Sequence, residues 1–501
     1  MSRQSARAMW EQFFQRWSGS GLSLQAQIRQ MLVSAVLDEQ IPLDKALPSS
    51  REMAAALGVA RNTVVLAYQH LVDEGFLISR ERRGYFINPE IRDGRVIVPP
   101  LSREETESPV NRPEWRTRFR YLPSGQRNIR KPADWMNYPY PFLYGQFDAS
   151  LFSVAEWREC CLRTLSGMEI HEWGQDLFIR DDEKLSQQIR ARLLPPRGIW
   201  AAEDEIMITV GAQHALFMIA DLLLGPDTPV GVEDPGYPDV RNIFAARSSR
   251  VLSLPVDGEG LRITRTLAAC QYVYTTPSHQ CPTTVTLSMT RRKQLLEQAE
   301  RHNIILIEDD YEAQSSFEGE PFPTLKSLDR SGRVIYVGSL SKTLAPGIRL
   351  GYVVAPREVI HELRMVRRLN LRHPNTFAQR AFALFLSLGH YDAMLRRLAQ
   401  ARKERAFELM SALDQYLPEL RYIPITGGSS CWVEGPDWLD VDQLFQDAKD
   451  LGVLIEPGDI FFRSPQQQRK CFRLGYSSIP ASAVNEGIRL LAKAYHLQRP
   501  S

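Results

Sequence analysis

Between residues 206 and 354 the sequence alternates. Ile206 to Val210, Pro229 to Val232, Val251 to Leu254, Tyr272 to Thr275, Ile304 to Ile307, Val334 to Val337 and Leu350 to Val354 are short apolar runs. Helical spacing begins at Ala212, after Tyr237 and over Arg291 to His302. A strand covered on both faces needs continuous rather than alternating hydrophobicity, so the pattern predicts an α/β fold with a mostly parallel sheet between helices. Ligands of such sheets bind beyond the strand C-termini. That rule points to Gly211, Asp234, Thr276 to Thr284, Asp309 and Ser339 to Lys342.

The 501 residues suffice for two or three domains, and 44% hydrophobic with 24% charged residues excludes wholesale disorder. With 61 basic against 59 acidic side chains, no global field advertises nucleic acid, membrane or an acidic substrate. Any DNA binding must come from a local surface. The six cysteines form no CxxC pair and no rhythm with the histidines, so neither a metal site nor a disulfide framework is expected. A reducing, cytoplasmic setting fits, since the N-terminus lacks the apolar core of a secretory signal. The longest apolar stretch, Ala215 to Leu224, contains Asp221 and is too short to span a membrane.

Charge counted by segment says more. Residues 91–135 carry 10 basic and 6 acidic side chains, include prolines 99, 100, 109, 113 and 123, and show no sustained period, as expected of a basic linker. Before it, within residues 20–90, Leu24, Ile28, Leu32, Val33 and Val36 recur at helical spacing. Ser50 is placed to cap a second helix ending near Gly58, and Val64, Ala67, Tyr68, Leu71 and Val72 form one face of a third. Leu77 to Ser79 and Tyr85 to Ile87 flank a turn and read as a hairpin. The third helix presents Arg61, Asn62 and Thr63 at its start, the place from which a helix-turn-helix reads base edges. Arg82 and Arg83 at the hairpin tip suit a phosphate backbone or minor groove. Arg51 serves either a phosphate or a surface ion pair. The stretch LPSSREMAAALGVARNTVVLAYQHLVDEGFLISRERRGYFI is similar to the winged helix of the GntR family, departing from it at Ala60 and at Arg82-Arg83.

After the linker, Lys342 in VIYVGSLSKTLAPGIRLGYVV follows a strand, and a desolvated lysine amine can condense with an aldehyde. Ser339, Ser341 and Arg349 are potential phosphate donors around it. In NIILIEDDYEA a buried strand ends at Asp309, Asp310 and Tyr311. A carboxylate there can keep a pyridine nitrogen protonated, as pyridoxal chemistry needs, although two acids in that place also suit a helix cap. Ala212 and Gln213 begin a helix whose free N–H groups suit a phosphate.

The order and text of these elements resemble the fold-type I aminotransferases, with a seven-stranded-type sheet and a smaller C-terminal α+β subdomain. Joined to the winged helix they resemble the MocR/GabR family of pyridoxal-phosphate-dependent transcriptional regulators, over about residues 20–90 and 140–495. Domains are expected at 20–90, 91–135 and 136–501. The resemblance implies pyridoxal 5'-phosphate held as an internal aldimine on Lys342, with Asp309 at the pyridine nitrogen, Tyr311 at the phenolic oxygen and Arg349 at the phosphate. It implies Arg473 as the grip for a ligand's acid group, against a strand-edge ion pair as the alternative. It also implies a head-to-tail homodimer on double-stranded operator DNA, sensing a small amino compound by exchange to an external aldimine. The chain departs from the family at Cys281 and Thr284, where an aromatic and a glycine are usual, and at Trp173, near a tyrosine's place. An active aminotransferase with an appended DNA-binding module is the competing function.

Overall fold

The computed structural model describes residues 9–14, 23–37, 41, 45–80, 83–89, 113–129, 131–176, 179–313, 317, 322–340, 342–464 and 470–499. The chain divides into two units, Met1–Arg118 and Phe119–Ser501.

In the small unit, α1 (Leu24–Leu37), α2 (Ser50–Leu57) and α3 (Arg61–Asp73) are followed by an antiparallel hairpin of β1 (Leu77–Arg80) and β2 (Gly84–Ile87). Ile28, Leu32, Met53, Val64, Ala67, Tyr68, Leu71, Leu77 and Ile87 make its core. Gly58 ends α2 in the left-handed conformation at φ 65°, which turns the chain into α3 at no steric cost. The cap of α2 is Ser49 rather than the expected Ser50. Ser49 Oγ accepts from the Glu52 N–H, and the Glu52 carboxylate accepts from the Ser49 N–H at 2.9 Å. This reciprocal box needs an acid three residues after the cap, which only Ser49 has. Ser49→Ala is expected to lower the unfolding free energy of the small unit by about 1 kcal/mol, measurable by chemical denaturation.

The large unit begins with β3 (Tyr140–Pro141) and builds its main sheet from β4 (Ile206–Thr209), β5 (Val230–Asp234), β6 (Val251–Asp257), β7 (Gly260–Leu261), β8 (Tyr272–Thr275), β9 (Ile305–Asp310), β10 (Val334–Ser339) and β11 (Gly351–Val354). The strand order is β4-β11-β10-β9-β8-β5-β6-β7. The run β10-β9-β8-β5-β6 is parallel, β11 is antiparallel to both its neighbours, and β7 is a two-residue hairpin return that adds an eighth strand to the expected seven. Apolar side chains cover both faces, with Leu216, Ile219, Ile307 and Val353 in one layer and Leu254, Leu295 and Leu306 in the other.

A second sheet forms the C-terminal part: β12 (Arg421–Tyr422), β13 (Ser430–Glu434), β15 (Glu456–Pro457) and β16 (Cys471–Gly475), in the antiparallel order β12-β13-β16-β15. Between β13 and β15, β14 (Val453–Leu454) pairs with β3 in parallel. The helices His390–Tyr416 and Ala481–Leu497 close the core over this sheet through Leu409, Leu413, Ile488 and Leu491.

Part of the segment expected as linker is seated on the large unit. Arg127 donates to the Asp459 carboxylate at 2.8 Å, and Asn242 Nδ2 donates to the Arg127 carbonyl at 2.8 Å. Polar anchors of this kind leave no hydrophobic period, which is why composition alone reads the segment as free. Among the described residues no helix is long and apolar enough to cross a membrane.

Candidate functional site

The two aspartates ending β9 part company because successive strand residues face opposite sides of a sheet. Asp310 turns away from the cavity, accepting from Arg197 Nε and Tyr336 Oη, each at 2.8 Å. Asp309 turns to the other face, where Tyr274 of β8 donates to its Oδ2 at 2.8 Å. Its Oδ1 is buried with no hydrogen-bond partner. Burial pushes the Asp309 carboxyl up to about 7, against the Tyr274 hydrogen bond and with the Asp310 charge adding to the rise.

Asp309 stands in the wall of a 260 Å³ cavity at the C-terminal edge of the sheet, which also gathers Lys342, Tyr311, Ser339, Ala212, Gln213, Arg349 and Arg473. Eight side chains spread over 262 positions of sequence thus meet in one place. The Lys342 amine lies 4.3 Å from the centre of the Tyr144 ring. Burial and the neighbouring Lys131 ammonium push that amine down to about 8, so a useful fraction is uncharged near neutrality. Gly145, at φ 70°, permits this approach: a Cβ there would stand 2.5 Å from Lys342 Nζ.

One end of the cavity is built for an anion. The helix Gly211–Leu223 points its first N–H groups there, and Gly351 lets the helix start touch the sheet, since a Cβ at Gly351 would meet the Gly211 backbone at 2.9 Å. Exposed Arg349, itself in the left-handed conformation at φ 55°, leans over this end and donates to the Val210 carbonyl at 3.2 Å. Burial holds the Tyr311 phenol well above its ordinary range, so it remains a proton donor.

At the other end Arg473 of β16 is buried at 2% exposure. Its Nε donates to Glu456 Oε2 at 2.7 Å, which is the ion pair set as the alternative to ligand binding, yet its Nη2 is buried and has no partner. Pairing and cavity lining therefore coexist on one guanidinium. Tyr144, Tyr237, Tyr274, Lys131 and Cys281 also line the cavity. Sequence reasoning left these out of the site, apart from marking Cys281 as an altered wall. The period-two alternation of β8 and β9, which puts Tyr274 and Asp309 on one face, was the available signal for Tyr274.

Residues 183–491 match the aminotransferase class I and II family, and residues 24–87 match the bacterial regulatory proteins of the gntR family. The HTH-type transcriptional regulator TauR of Rhodobacter capsulatus is 41% identical over 484 residues, covering 97% of this chain and 99% of its own. The probable rhizopine catabolism regulatory protein MocR of Rhizobium meliloti is 28% identical over 476 residues, covering 94% and 93%. The chain belongs to the MocR family of HTH-type transcriptional regulators. Among solved structures, the α-aminoadipate aminotransferase LysN of Thermus thermophilus superposes on this MocR regulator with a TM-score of 0.69 at 26% identity, covering 77% of this chain and 99% of its own. The multiple substrate aminotransferase of Thermococcus profundus superposes with a TM-score of 0.68 at 25% identity and the same coverage. The aminotransferase class I and II fold implies pyridoxal phosphate as cofactor and is commonly dimeric, and the gntR helix-turn-helix implies DNA binding.

In the helix-turn-helix of this MocR regulator, Arg61 and Asn62 are exposed at the start of α3 and Thr63 is half-buried. Ala60 gives α3 no side-chain cap, and the Thr63 N–H donates instead to the Ala60 carbonyl at 3.0 Å. Arg61 Nε lies 3.4 Å from Ser50 Oγ. Arg51 on α2 and Arg83 at the hairpin tip are exposed, and Arg82 lies outside the described residues. Trp173 spends its indole N–H on the Thr164 carbonyl at 2.8 Å and packs its ring on Phe377.

Proposed function

We propose that this MocR regulator holds pyridoxal phosphate in the 260 Å³ cavity and converts the arrival of a small amine-bearing acid there into a change in operator affinity. The observation that carries the proposal is the unpartnered, buried Asp309 Oδ1 in the same cavity as the Lys342 amine. A buried carboxylate oxygen without a partner is costly, and a protonated ring nitrogen would satisfy it. The donor set fits the rest of the cofactor. Lys342 would hold its aldehyde carbon, Tyr311 its phenolic oxygen, and Ser339, Arg349 and the N–H groups at Ala212 and Gln213 its phosphate. When bound, the cofactor supplies an electrophilic carbon that a primary amine can take over from lysine. Arg473 Nη2 would then orient the acid group of that amine.

In a head-to-tail pair of chains, residues 20–90 are assigned to reading DNA, 91–118 to connecting and 119–501 to receiving the ligand, since Ile129 and Lys131 of the expected 91–135 linker line the cavity. A ligand alters DNA affinity only by its differential affinity for two states of the protein, so completed turnover is not required. The test is fluorescence anisotropy on the adjoining intergenic DNA, with the cofactor-loaded protein and a panel of short amino acids, while cofactor absorption is followed. Spectrum and DNA affinity are expected to change together, with little keto acid formed. A spectral change that leaves DNA affinity untouched would separate the two, and rapid multiple turnover would favour the aminotransferase.

For the reading helix, Arg61→Ala is expected to cost about 1–3 kcal/mol of operator binding if it meets a base edge. Contact to a phosphate instead lowers the salt slope by about 1. Unchanged affinity and unchanged salt slope in the folded variant remove Arg61 from the interface.

A further inference from the structure

The acid end of the cavity carries a charge balance that the family's arginine alone does not set. Two buried donors there lack partners, Arg473 Nη2 and the Tyr144 hydroxyl. The Arg473 guanidinium lies 4.2 Å from the centre of the Tyr144 ring, and the Lys342 amine 4.3 Å from the same centre. The amine-exchanging nitrogen and the acid-binding cation thus both lie against one aromatic ring, a short reach that suits a small molecule carrying an amine and an acid.

Behind these donors sits Glu456 of β15, 3% exposed. Its Oε2 accepts from Arg473 Nε at 2.7 Å, while its Oε1 accepts from the Tyr144 N–H at 3.3 Å and lies 3.7 Å from Lys131 Nζ. Lys131 also donates to the Tyr144 carbonyl, so its ammonium is held at the cavity edge. Two cations, Arg473 and Lys131, and the Glu456 carboxylate leave a single net positive charge at this end, and the Glu312 carboxylate and Arg402 guanidinium, which also act on Tyr144, offset one another. The remaining cations lining the cavity, Lys342 and Arg349, are assigned to the cofactor. A ligand with one acid group completes the balance; a second acid group would lie in a poorly solvated site against the Glu456 carboxylate with no cation left to pair it.

We propose that Glu456 is a specificity-determining residue, which through Arg473 and Lys131 restricts the effector to amines bearing one anionic group and rejects those bearing two. The inference rests on the cofactor-dependent sensing proposed above. Because Glu456 acts through its neighbours it is a positioning residue, and its signature is a ratio of affinities rather than a loss of binding.

The experiment titrates the cofactor-loaded protein with two matched pairs, β-alanine against L-aspartate and 4-aminobutyrate against L-glutamate, reading both cofactor absorption and heat of binding. In each pair the second molecule is the first with one more carboxylate. Wild type is expected to favour the monoacid at least tenfold in one pair or both. Glu456→Gln is expected to shrink that preference at least tenfold, and Glu456→Asp to retain it. Should Glu456→Gln fail to fold, Lys131→Met serves, since removing one cation is expected to weaken monoacid binding at least tenfold. Equal affinity for both members of the pairs in wild type, a ratio unmoved by Glu456→Gln, or monoacid binding indifferent to Lys131→Met each overturns the inference while leaving the sensing function standing. Absence of any amine-dependent signal in wild type, over these and other short amino acids, overturns the sensing function itself.

Discussion

Replacing Lys342 by alanine is expected to abolish the amine-dependent change in operator affinity and the borohydride-fixed attachment of pyridoxal phosphate, while DNA binding by the unliganded protein persists. Lys342 and Lys131 are the lysines lining the cavity among the described residues, and Lys131 is engaged with Glu456 and the Tyr144 carbonyl. Peptide mapping after reduction should therefore place the pyridoxyl group on Lys342. The reaction also has a pH signature. A protonated amine cannot attack an aldehyde, so the rate of covalent loading should rise with pH around a midpoint near 8, where burial and Lys131 have brought the amine. An ordinary lysine would show its midpoint more than two units higher. A Lys342→Ala protein whose DNA affinity still responds to amines as wild type does would show that the switch lies elsewhere.

Asp309→Asn is expected to pull stability and cofactor retention in opposite directions. In the cofactor-free chain Asp309 titrates near 7, whereas an unfolded aspartate titrates near 3.9. Between these values the folded state binds the extra proton, so the stability of the cofactor-free protein falls as pH rises from about 4 to 7. Asparagine removes that slope and is expected to raise the unfolding free energy at pH 8 by about 1–3 kcal/mol, given that a buried charge with one hydrogen bond is poorly paid for by its surroundings. With cofactor present, the same change removes a charge-assisted hydrogen bond worth about 1.5–3 kcal/mol, tenfold or more in retention. Denaturation at pH 5 and pH 8, with and without pyridoxal phosphate, reads both effects. Identical pH slopes in the two cofactor-free proteins would show that Asp309 is not the group that titrates.

What was legible in the sequence follows from the physics of each element. The strands of the main sheet were readable because burial on both faces demands unbroken apolar runs, and the sheet edge then named Gly211, Asp309 and Lys342 by position. Choosing between Asp309 and Asp310 by periodicity needed the register, which sends one to Arg197 and the other to Tyr274. The second sheet was harder to read, since β12, β14 and β15 are two residues each and carry no period. Tyr274 is one residue of an apolar strand run, and Tyr144 belongs to no sequence pattern; their ring positions bring both to the cavity. Glu456 gives no signal at all: its role arises from Arg473 across the β15–β16 ladder, where the two are register partners. In the small unit, Ser49 and Ser50 are adjacent, and only the acid at Glu52 discriminates between them.

Lys131 and Ile129 line the ligand cavity, although they precede the first strand of the large unit. A receiver excised at residue 136, the domain boundary expected from the sequence, would be missing part of its own wall; one cut at 119 keeps it. The same holds for exchange of parts between relatives. A DNA reader can be traded for another upstream of residue 119 without touching ligand choice, but a junction placed a few residues later transplants Lys131, and with it one of the charges by which ligands are told apart.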